Sequence, residues 1–437
     1  MLIANRGEIA VRIARAAADL GLRAVAVYSE DDAAALHRSR ADEAVALQGV
    51  GPRAYLDGPA LVAAAKSAGC DAAHPGYGFL SENAAFARLC AEAGLTFVGP
   101  APETLDLFGD KARARAFAAE HGAPLAPGTD GSASLDQVRA FQAKLGPRRE
   151  IMIKAVAGGG GRGMRRLAAG EDPAAAYEAC AREAQGAFGD PRLYAEAIVP
   201  NARHIEVQVA GDGRRAVAIH DRECSIQRRH QKLIEIAPAI GLTPKVRERL
   251  QAASVRMAEA AKLTGLATFE YLLDGDDAVF MEANPRLQVE HTVTEAVTGL
   301  DLVQIQLRLA AGENLKDVGL GKGPPPVLGH ALELRINLER LAADGSVSGA
   351  GGMISRYEPP SGPGVRVDGA GYGGYRPSPA FDSMIAKLIV HSPAPDLAAA
   401  VARARRALAE FRIEGAESNL ALLQAILEAP EVTAGTA

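Results

Sequence analysis

The stretch ATFEYLLDGDDAVFMEANPR, residues 267–286, consists of two apolar segments separated by the acidic turn DGDD. The first segment carries Glu270 and the second carries Glu282. Strands paired about such a turn bring the two carboxylates together, and like charges in an apolar setting are costly without a cation between them. Magnesium takes carboxylate and phosphate oxygens, and Asn284 can add a neutral oxygen. The stretch therefore predicts a strand hairpin that carries a magnesium site.

Polar side chains continue beyond the hairpin at regular steps. Asn284, Arg286, Gln288 and Glu290 follow one another at intervals of two residues and precede a helical pattern that begins near His291. This spacing places further polar groups on one side of the segment. A charged loop without function would rarely be so regular, so the segment is predicted to extend the site.

A glycine-rich segment lies upstream, in EIMIKAVAGGGGRGMRRL, residues 150–167. Its pattern indicates a strand with Lys154, a loop and a second short strand. Residues 158–163 formally match G-x-G-x-x-G, but no helix follows and no Gly-Lys-Ser/Thr is present, which argues against Rossmann and Walker A loops. Such a hairpin can close over phosphates with its backbone N–H groups, while the lysine supplies a charge. A flexible surface loop is the alternative interpretation.

Other lysines stand out because the chain has ten lysines against 38 arginines. Lys111 lies at the start of a helix that Asp110 is predicted to cap. Lys232 ends the basic segment RRHQK, residues 228–232, which is interpreted either as a solvated basic face or, preferably, as an anion site. On the preceding alternating segment, His204 and Glu206 share one face of a predicted strand.

The first hundred residues alternate strands and helices, as in LIAN, RGEIAVRIARAAADLG and RAVAVYS. This order predicts a parallel sheet. The first turn contains only Gly7 and lacks the G-x-G-x-x-G signature, which argues against a dinucleotide site. HPGYGFLSEN, from His74, fits a site loop and equally a tight structural turn.

Composition limits the class of protein. The chain has 437 residues, is 48% hydrophobic and carries a net charge of −5, which indicates a globular protein of two or three domains. Its pI near 6.0 argues against general binding to nucleic acid or membrane surfaces. Without an apolar run of about 18–20 residues, a cytoplasmic location is expected. Four cysteines without ligand spacing argue against zinc and predict reduced, mostly buried thiols.

The motifs together resemble the ATP-grasp superfamily and, within it, the biotin carboxylases. They are IANRGEIAVRI, HPGYGFLSEN, GDK, GGGGRGM, HIEVQV, RECSIQRRHQK, EANPRLQVEH, ELRIN and FDSMIAKL, in family order along the whole chain. The resemblance implies an α/β (α+β) ATP-grasp fold. It implies an N-terminal Rossmann-like parallel-sheet domain at 1–108, an ATP-grasp domain at 109–320 with a mobile lid at about 126–197, and a C-terminal mixed α/β domain at 328–437.

The resemblance also implies a role for particular residues. For ATP binding it implies Lys111, Lys154, Gly158, Gly159, Gly160, Gly161, Met164, Glu196, Val199, His204, Gln227 and His230. For the metal, magnesium or manganese, it implies Glu270, Glu282 and Asn284. For bicarbonate it implies Lys232, Arg286, Gln288 and the Val289 backbone. For catalysis it implies Glu290, Arg335, Lys232 and Arg286, with Arg335 and Asp382 on the biotin side.

The implied reaction begins when Glu290 removes the proton of bicarbonate, whose oxygen attacks the γ-phosphate of ATP. Attack releases ADP and forms carboxyphosphate, which yields CO2 and phosphate. The phosphate takes the N1′ proton of biotin, and the resulting enolate, stabilised by Arg335, attacks CO2. Biotin itself would be carried elsewhere, because no methionine in this chain is followed by lysine. The implied partners are a biotin carboxyl carrier domain and a carboxyltransferase, in the same longer chain or on separate subunits of an acyl-CoA carboxylase. A homo-oligomer is also implied.

Two other functions are open at this level: another ATP-grasp ligase that joins a carboxylate to an amine, and a catalytically silent nucleotide-binding scaffold. The ligase would share Lys111 and Lys154 but not the RLQVEH segment. The stretch after Arg335, RINLERLAADGSVSGAGGMI, lacks the acidic-Pro and Ser-Pro-Gly pattern usual in the family, which bears on carrier docking. An ion pair of Arg335 with Glu333 or Glu339 is the purely structural alternative for that arginine.

Overall fold

The N-terminal part of the chain forms a parallel sheet, as predicted. A computed structural model describes residues 1–129, 131–157 and 163–435 of the protein. Five strands pair in the order β3-β2-β1-β4-β5. Their bounds are β1 Leu2–Ile3, β2 Val25–Tyr28, β3 Glu43–Ala46, β4 Ala72–His74 and β5 Thr96–Phe97. The helices of this part are α1 Gly7–Asp19, α2 Pro52–Tyr55, α3 Gly58–Ser67, α4 Ala84–Glu92 and α5 Pro102–Gly109, with short 3₁₀ turns at Glu30–Asp32 and Leu36–Ser39.

The two strands that flank the glycine-rich segment pair in a small antiparallel sheet, which confirms the predicted strands. Its elements are α6 Lys111–Glu120, α7 Leu135–Leu145, β6 Ile151–Ala155, β7 Met164–Leu167, α8 Ala174–Phe188 and β8 Leu193–Ala197. The strand order is β7-β6-β8. The predicted cap is also present, because the Asp110 carboxylate accepts the Arg113 N–H at 2.9 Å. Helix α4 is capped in the same way by the Asn83 side chain, which accepts the Phe86 N–H.

An eight-stranded antiparallel sheet forms the rest of the molecule, in the order β13-β12-β9-β10-β11-β14-β19-β18. Its strands are β9 Arg203–Asp212, β10 Ala216–Arg228, β11 Gln231–Ala237, β12 Thr264–Asp274, β13 Asp277–Asn284, β14 His330–Asn337, β18 Val365–Gly369 and β19 Met384–Ser392. The helices and small strands around it are α9 Pro244–Ala260, α10 His291–Thr298, α11 Leu302–Ala310, β15 Glu339–Leu341, β16 Val347–Gly349, β17 Arg356–Glu358, α12 Leu397–Glu410, β20 Arg412–Glu414, α13 Leu420–Glu428 and α14 Pro430–Ala434. The sheet is continuous across the predicted division between 109–320 and 328–437, because β11 pairs with β14.

Alternation along the strands divides the large sheet into an apolar face and a polar face. On β9 and β12 the odd-numbered residues, such as Val207 and Phe269, are buried in one core with Leu250 and Met257 of α9. Leu334 of β14 belongs to a second core that includes residues of β19 and α12. The neighbouring even positions of β9 and β12 and odd positions of β14 and β19 carry the buried polar groups described below.

All four cysteines are buried and free, as predicted from their spacing. Among the helices in the described part of the chain, none combines the length and apolar character needed to cross a bilayer.

A buried histidine in the N-terminal part gives a testable pH dependence of stability. The His37 Nε2 lies 3.0 Å from the Val27 carbonyl, and the Gly7 N–H donates to Nδ1 at 3.4 Å, an arrangement suited to the neutral ring. Burial lowers the pKa of His37 to about 4. The unfolded chain therefore binds this proton first, and stability is lost as the pH falls from about 6.5 towards 4.

We expect His37 to contribute about 2 kcal/mol to the fall in unfolding free energy between pH 7 and pH 5. Urea unfolding at both pH values would measure this change. The His37→Gln variant should show a correspondingly shallower loss than the parent protein. An equal loss in both proteins would contradict the assignment.

Candidate active site

A row of carboxylates crosses the polar face of the large sheet. Glu282 on β13 lies directly opposite Glu270 on β12, and Glu270 lies opposite Glu206 on β9. The predicted proximity of Glu270 and Glu282 is thereby confirmed. Glu206 in turn faces Arg222 on β10, whose guanidinium is fully buried and donates to the Glu206 carboxylate. The register of four strands thus aligns three acidic groups with one fixed cation.

Lys232 is the cation at the centre of the site. Its Nζ lies 2.8 Å from Glu206 and 3.7 Å from Glu270, and it also donates to Glu290. Burial would lower the pKa of Lys232, but Glu206, Glu270 and Glu290 together with Cys224 outweigh it and hold the pKa well above its ordinary value. The ammonium therefore stays charged and binds the three carboxylates together.

Glu290 immediately precedes helix α10, at the position of its N-terminal cap. The carboxylate is 1% exposed and accepts from Lys232 on one oxygen and from Arg335 at 3.0 Å on the other. Burial alone would raise the pKa of Glu290, but Lys232, Arg335 and Arg222 outweigh it and hold the pKa well below its ordinary value. Glu290 is therefore ionised at neutral pH, and it becomes more basic when an anion reduces the surrounding positive charge.

Arg335 on β14 does not form an ion pair with Glu333 or Glu339, the two structural partners considered for it from sequence. It contacts Glu235 on β11 and Glu290, whereas Glu339 pairs with Arg228 and Glu333 accepts from Thr292. Glu235 is fully buried, which raises its pKa. Arg335 is thus held between two acidic groups, with 17% of its side chain open to solvent.

The polar residues spaced two apart form a connected group, as the regular spacing indicated. Arg286 donates to Gln288 Oε1 at 2.9 Å and to the Leu287 carbonyl at 3.1 Å. Its guanidinium also lies 3.2 Å from Glu82, at the end of the HPGYGFLSEN motif. That motif therefore contributes to the site. The Gln288 amide reaches Glu270 at 3.4 Å, which joins this group to the carboxylate row.

A chain of hydrogen bonds joins His204 to the carboxylate row. The His204 Nε2 lies 2.6 Å from Glu270, and its Nδ1 lies 2.8 Å from the Gln227 amide. Burial would raise the pKa of Glu270, but Lys232 and His204 outweigh it and lower the pKa to about 2. The same contact with Glu270 raises the pKa of His204, despite the burial of its ring. Glu270 is consequently ionised and fully surrounded by donors.

Two lysines extend the site towards the small sheet. Lys111, the first residue of α6, lies 2.9 Å from Glu282, and Lys154 on β6 donates to Glu196 on β8. Met164 pairs with Lys154 across the hairpin. Each lysine is thus paired with a carboxylate, and an incoming anion would have to replace that carboxylate as its partner.

The residues predicted to hold a metal suit a hard cation. Glu270 and Glu282 offer carboxylate oxygens from opposed positions, and the Asn284 side chain is 2.7 Å from Glu270. Lys111 contacts Glu282 and His204 contacts Glu270, at the carboxylates that a bound cation would share. The donor set therefore fits Mg²⁺ better than a softer transition metal.

Some predicted residues lie apart from this group. Arg229 and His230 are exposed at the turn between β10 and β11, so the basic segment 228–232 does not form a single cluster. Val199 is half-buried after β8, and Asp382 is exposed with its Oδ1 accepting the Met384 N–H at 3.0 Å. Gly158, Gly159, Gly160 and Gly161 lie outside the described residues.

Three residues of the network were not identified from sequence: Arg222, Glu235 and Lys387. All three are fully buried. Glu235 and Lys387 each lie in an otherwise apolar strand segment, whereas Arg222 lies between Asp221 and Glu223. Two sequence features could have identified Lys387: lysines are rare in this chain, and Lys387 lies in the FDSMIAKL motif. Nothing comparable singled out Arg222 among 38 arginines.

The comparisons with known proteins agree with this geometry. Three family profiles match in succession: "Biotin carboxylase, N-terminal domain" at residues 1–105, "Carbamoyl-phosphate synthase L chain, ATP binding domain" at 110–318, and "Biotin carboxylase C-terminal domain" at 333–437. The fold and the site define an ATP-grasp ligase. Biotin carboxylase from Nostoc is 44% identical over 439 residues, covering all of this chain and 96% of that protein. The chain belongs to the biotin carboxylase family.

Longer relatives and solved structures agree with this family assignment. Mouse mitochondrial pyruvate carboxylase is 43% identical over the whole chain, which spans 37% of that protein. The biotin carboxylase domain dimer of Hydrogenobacter thermophilus 2-oxoglutarate carboxylase, in complex with MgADP, ADP and bicarbonate, is 41% identical with a TM-score of 0.93. That match covers 99% of this chain and 94% of the other. Family members of very different total length therefore share this whole unit.

Proposed function

We propose that the chain carboxylates N1′ of biotin with bicarbonate and MgATP, through carboxyphosphate. The observation that carries this proposal is the position of Glu290, ionised between Lys232 and Arg335 and a few residues from Arg286 and Gln288. A ligase that joins a carboxylate to an amine needs phosphate and metal residues but has no use for a bicarbonate base. The similar structure that contains MgADP and bicarbonate supports the same function.

In the proposed reaction, bicarbonate is held by Lys232, Arg286, Gln288 and the Val289 backbone. Its negative charge offsets the cations beside Glu290, which raises the basicity of that carboxylate at the moment when a proton must be taken. The deprotonated oxygen attacks the γ-phosphate of ATP, and the carboxyphosphate formed releases CO2 and phosphate. Positioning and charge neutralisation carry most of such a phosphoryl transfer.

ATP is proposed to bind between the small sheet and the carboxylate row. Lys111 and Lys154 would exchange their present contacts with Glu282 and Glu196 for phosphate oxygens. Residues 158–161 and Met164 would cover the phosphates, and Glu196, Val199, His204, Gln227 and His230 would contact the rest of the nucleotide. Glu270, Glu282 and Asn284 would hold Mg²⁺, which when bound neutralises charge on the phosphates.

The biotin substrate is proposed to approach from the side of Arg335 and Asp382. Arg335 reaches Glu290 at 3.0 Å and remains partly open to solvent, so it can stabilise negative charge that develops on the acceptor. The chain divides functionally at 1–108, 109–320 and 328–437, with a lid at about 126–197. A carrier domain and a carboxyltransferase, within a larger acyl-CoA carboxylase, would complete the reaction.

ADP release with MgATP and bicarbonate, measured with and without high free biotin, tests the proposal. We expect release that requires bicarbonate and that rises when biotin is added, because CO2 transfer consumes the carboxyphosphate. Candidate biotinylated carrier domains should stimulate more strongly than free biotin, since tethering positions the acceptor. Release that is indifferent to biotin and to every carrier would contradict a biotin carboxylase and favour another ligase.

A further inference from the structure

A fully buried lysine, Lys387, contacts the segment that carries Glu290. Lys387 on β19 is 0% exposed, and its register places it between Arg335 on β14 and Asp368 on β18. Burying an ammonium is costly unless hydrogen bonds and opposite charges satisfy it. Lysine occurs at only ten positions in this chain, and one of them is this buried position.

The nearest group to the ammonium is a backbone carbonyl. Lys387 Nζ donates to the Val289 carbonyl at 2.8 Å, whereas the Glu8 carboxylate lies farther away at 3.3 Å. Asp368 is occupied by Arg366, to which its Oδ1 is bound at 3.1 Å. The contact that Lys387 makes best is therefore the one to the residue before Glu290.

This contact fixes the segment that carries the proposed base. Between β13 and α10, the backbone of residues 285–290 has no regular partner strand. Thr292 of α10 donates to Glu333 on β14, and Lys387 holds the Val289 carbonyl to β19. The two contacts attach the start of α10 to the C-terminal strands that also carry Arg335. The distance between Glu290 and Arg335 thus depends on them.

The second partner of Lys387 comes from the N-terminal part of the chain. Glu8, in the first turn of α1, is buried and also accepts from the Tyr77 hydroxyl of the HPGYGFLSEN motif. Burial raises the pKa of Glu8, although Lys387 opposes this effect. Glu8 therefore gives the ammonium a second acceptor in addition to the Val289 carbonyl.

We propose that Lys387 is a positioning residue for bicarbonate activation. Its ammonium holds the Val289 carbonyl so that the Val289 backbone and the Glu290 carboxylate face the bicarbonate position, and Glu8 is a second, more distant acceptor that this role does not require. This inference rests on the proposed function, because it assigns Lys387 to the bicarbonate step of that reaction.

Three variants separate this role from a structural ion pair. Lys387→Met removes both contacts, Glu8→Gln removes the opposite charge but leaves the donor to Val289, and the double variant Glu8→Met/Lys387→Met removes the pair without leaving a buried unpaired charge. For each we would measure kcat and the KM values for bicarbonate and ATP in biotin-dependent ADP release, together with the melting temperature.

We expect kcat/KM for bicarbonate to fall by about 100-fold in Lys387→Met, with KM for ATP within about threefold of the parent, because a displacement near 1 Å costs about this much. The double variant should melt closer to the parent yet keep the bicarbonate defect. Glu8→Gln should retain kcat/KM for bicarbonate within about fivefold, since a single opposite charge is lost while the donor remains.

Unchanged bicarbonate kinetics in the double variant would overturn the proposal, even if Lys387→Met alone fails to fold. So would a defect in Glu8→Gln as large as that of Lys387→Met, because the ion pair and not the carbonyl contact would then be responsible. A parent protein without bicarbonate-dependent ADP release overturns the proposed function and this inference with it. A parent with such release and unaffected Lys387 variants overturns the inference alone.

Discussion

The Glu290→Gln variant should lose bicarbonate-dependent ADP release by about 10²- to 10⁴-fold, the range expected when a positioned general base is removed. Glutamine keeps the size of the side chain, but its single oxygen can accept from only one of Lys232 and Arg335, and it cannot take the bicarbonate proton. ATP contacts other residues in the proposed site, so its dissociation constant should stay within about threefold. Steady-state ADP release and nucleotide titration would measure the two quantities.

Glu417→Gln is the matched control for this change. Glu417 is 55% exposed and pairs with Arg340 on the surface, so the same substitution there should leave turnover unchanged. If Glu290→Gln retained more than about a tenth of the parent turnover, Glu290 could not be the base. A parallel loss of ATP binding would instead indicate that the carboxylate maintains the shape of the site.

The Arg222→Met variant should lower the free energy of unfolding by about 3–5 kcal/mol, the usual cost of breaking a buried ion pair. Arg222 is fully buried and donates to Glu206, to Gln208 at 2.9 Å, to Thr294 at 2.8 Å and to Thr268 at 3.1 Å. Methionine fills much of the volume but leaves Glu206 with Lys232 as its remaining cation. Urea unfolding at neutral pH would measure the loss.

Arg340→Met provides the comparison for this stability prediction. Arg340 is 69% exposed, and exposed ion pairs contribute about 0–1 kcal/mol. The difference between the two arginine variants should therefore be at least about 2 kcal/mol. Equal midpoints for the two variants would show that the Arg222 network contributes no more than a surface contact.

Local sequence pattern was sufficient for several parts of the fold. Strand and helix alternation predicted the parallel sheet, and Lys154 lies on the strand of the hairpin that the glycine-rich segment indicated. The two strands and the turn that bring Glu270 and Glu282 together followed from the local pattern, but their direct opposition did not. A regular ladder would place Met281 opposite Glu270, and a register shift next to Tyr271 brings Glu282 into that position instead. Such predictions succeed where the contact is short in sequence.

Contacts between residues far apart in the sequence could not be predicted from these local patterns. Lys232 meets Glu290 across 58 residues and Arg335 meets Glu235 across 100, so their pairing depends on the order of strands in the large sheet. Period and composition do not determine that order. The family resemblance supplied roles for Glu290 and Arg335. It did not name Glu235, which pairs with Arg335, Arg222, which pairs with Glu206, or Lys387, which donates to the Val289 carbonyl.

The pairing of β11 with β14 limits how this chain can be recombined with its relatives. A crossover placed between residues 320 and 330 looks natural from sequence, because the segment there joins two predicted units. It would nevertheless take β11 and β14, which share a ladder from Ile234 to Ala237, from different parents, so that Ile234 and Ile236 would pack against a core built from the other sequence. Mismatched side chains in a packed core cost stability. Chimeras of this chain and its relatives should therefore take all eight strands of the large sheet from the same parent.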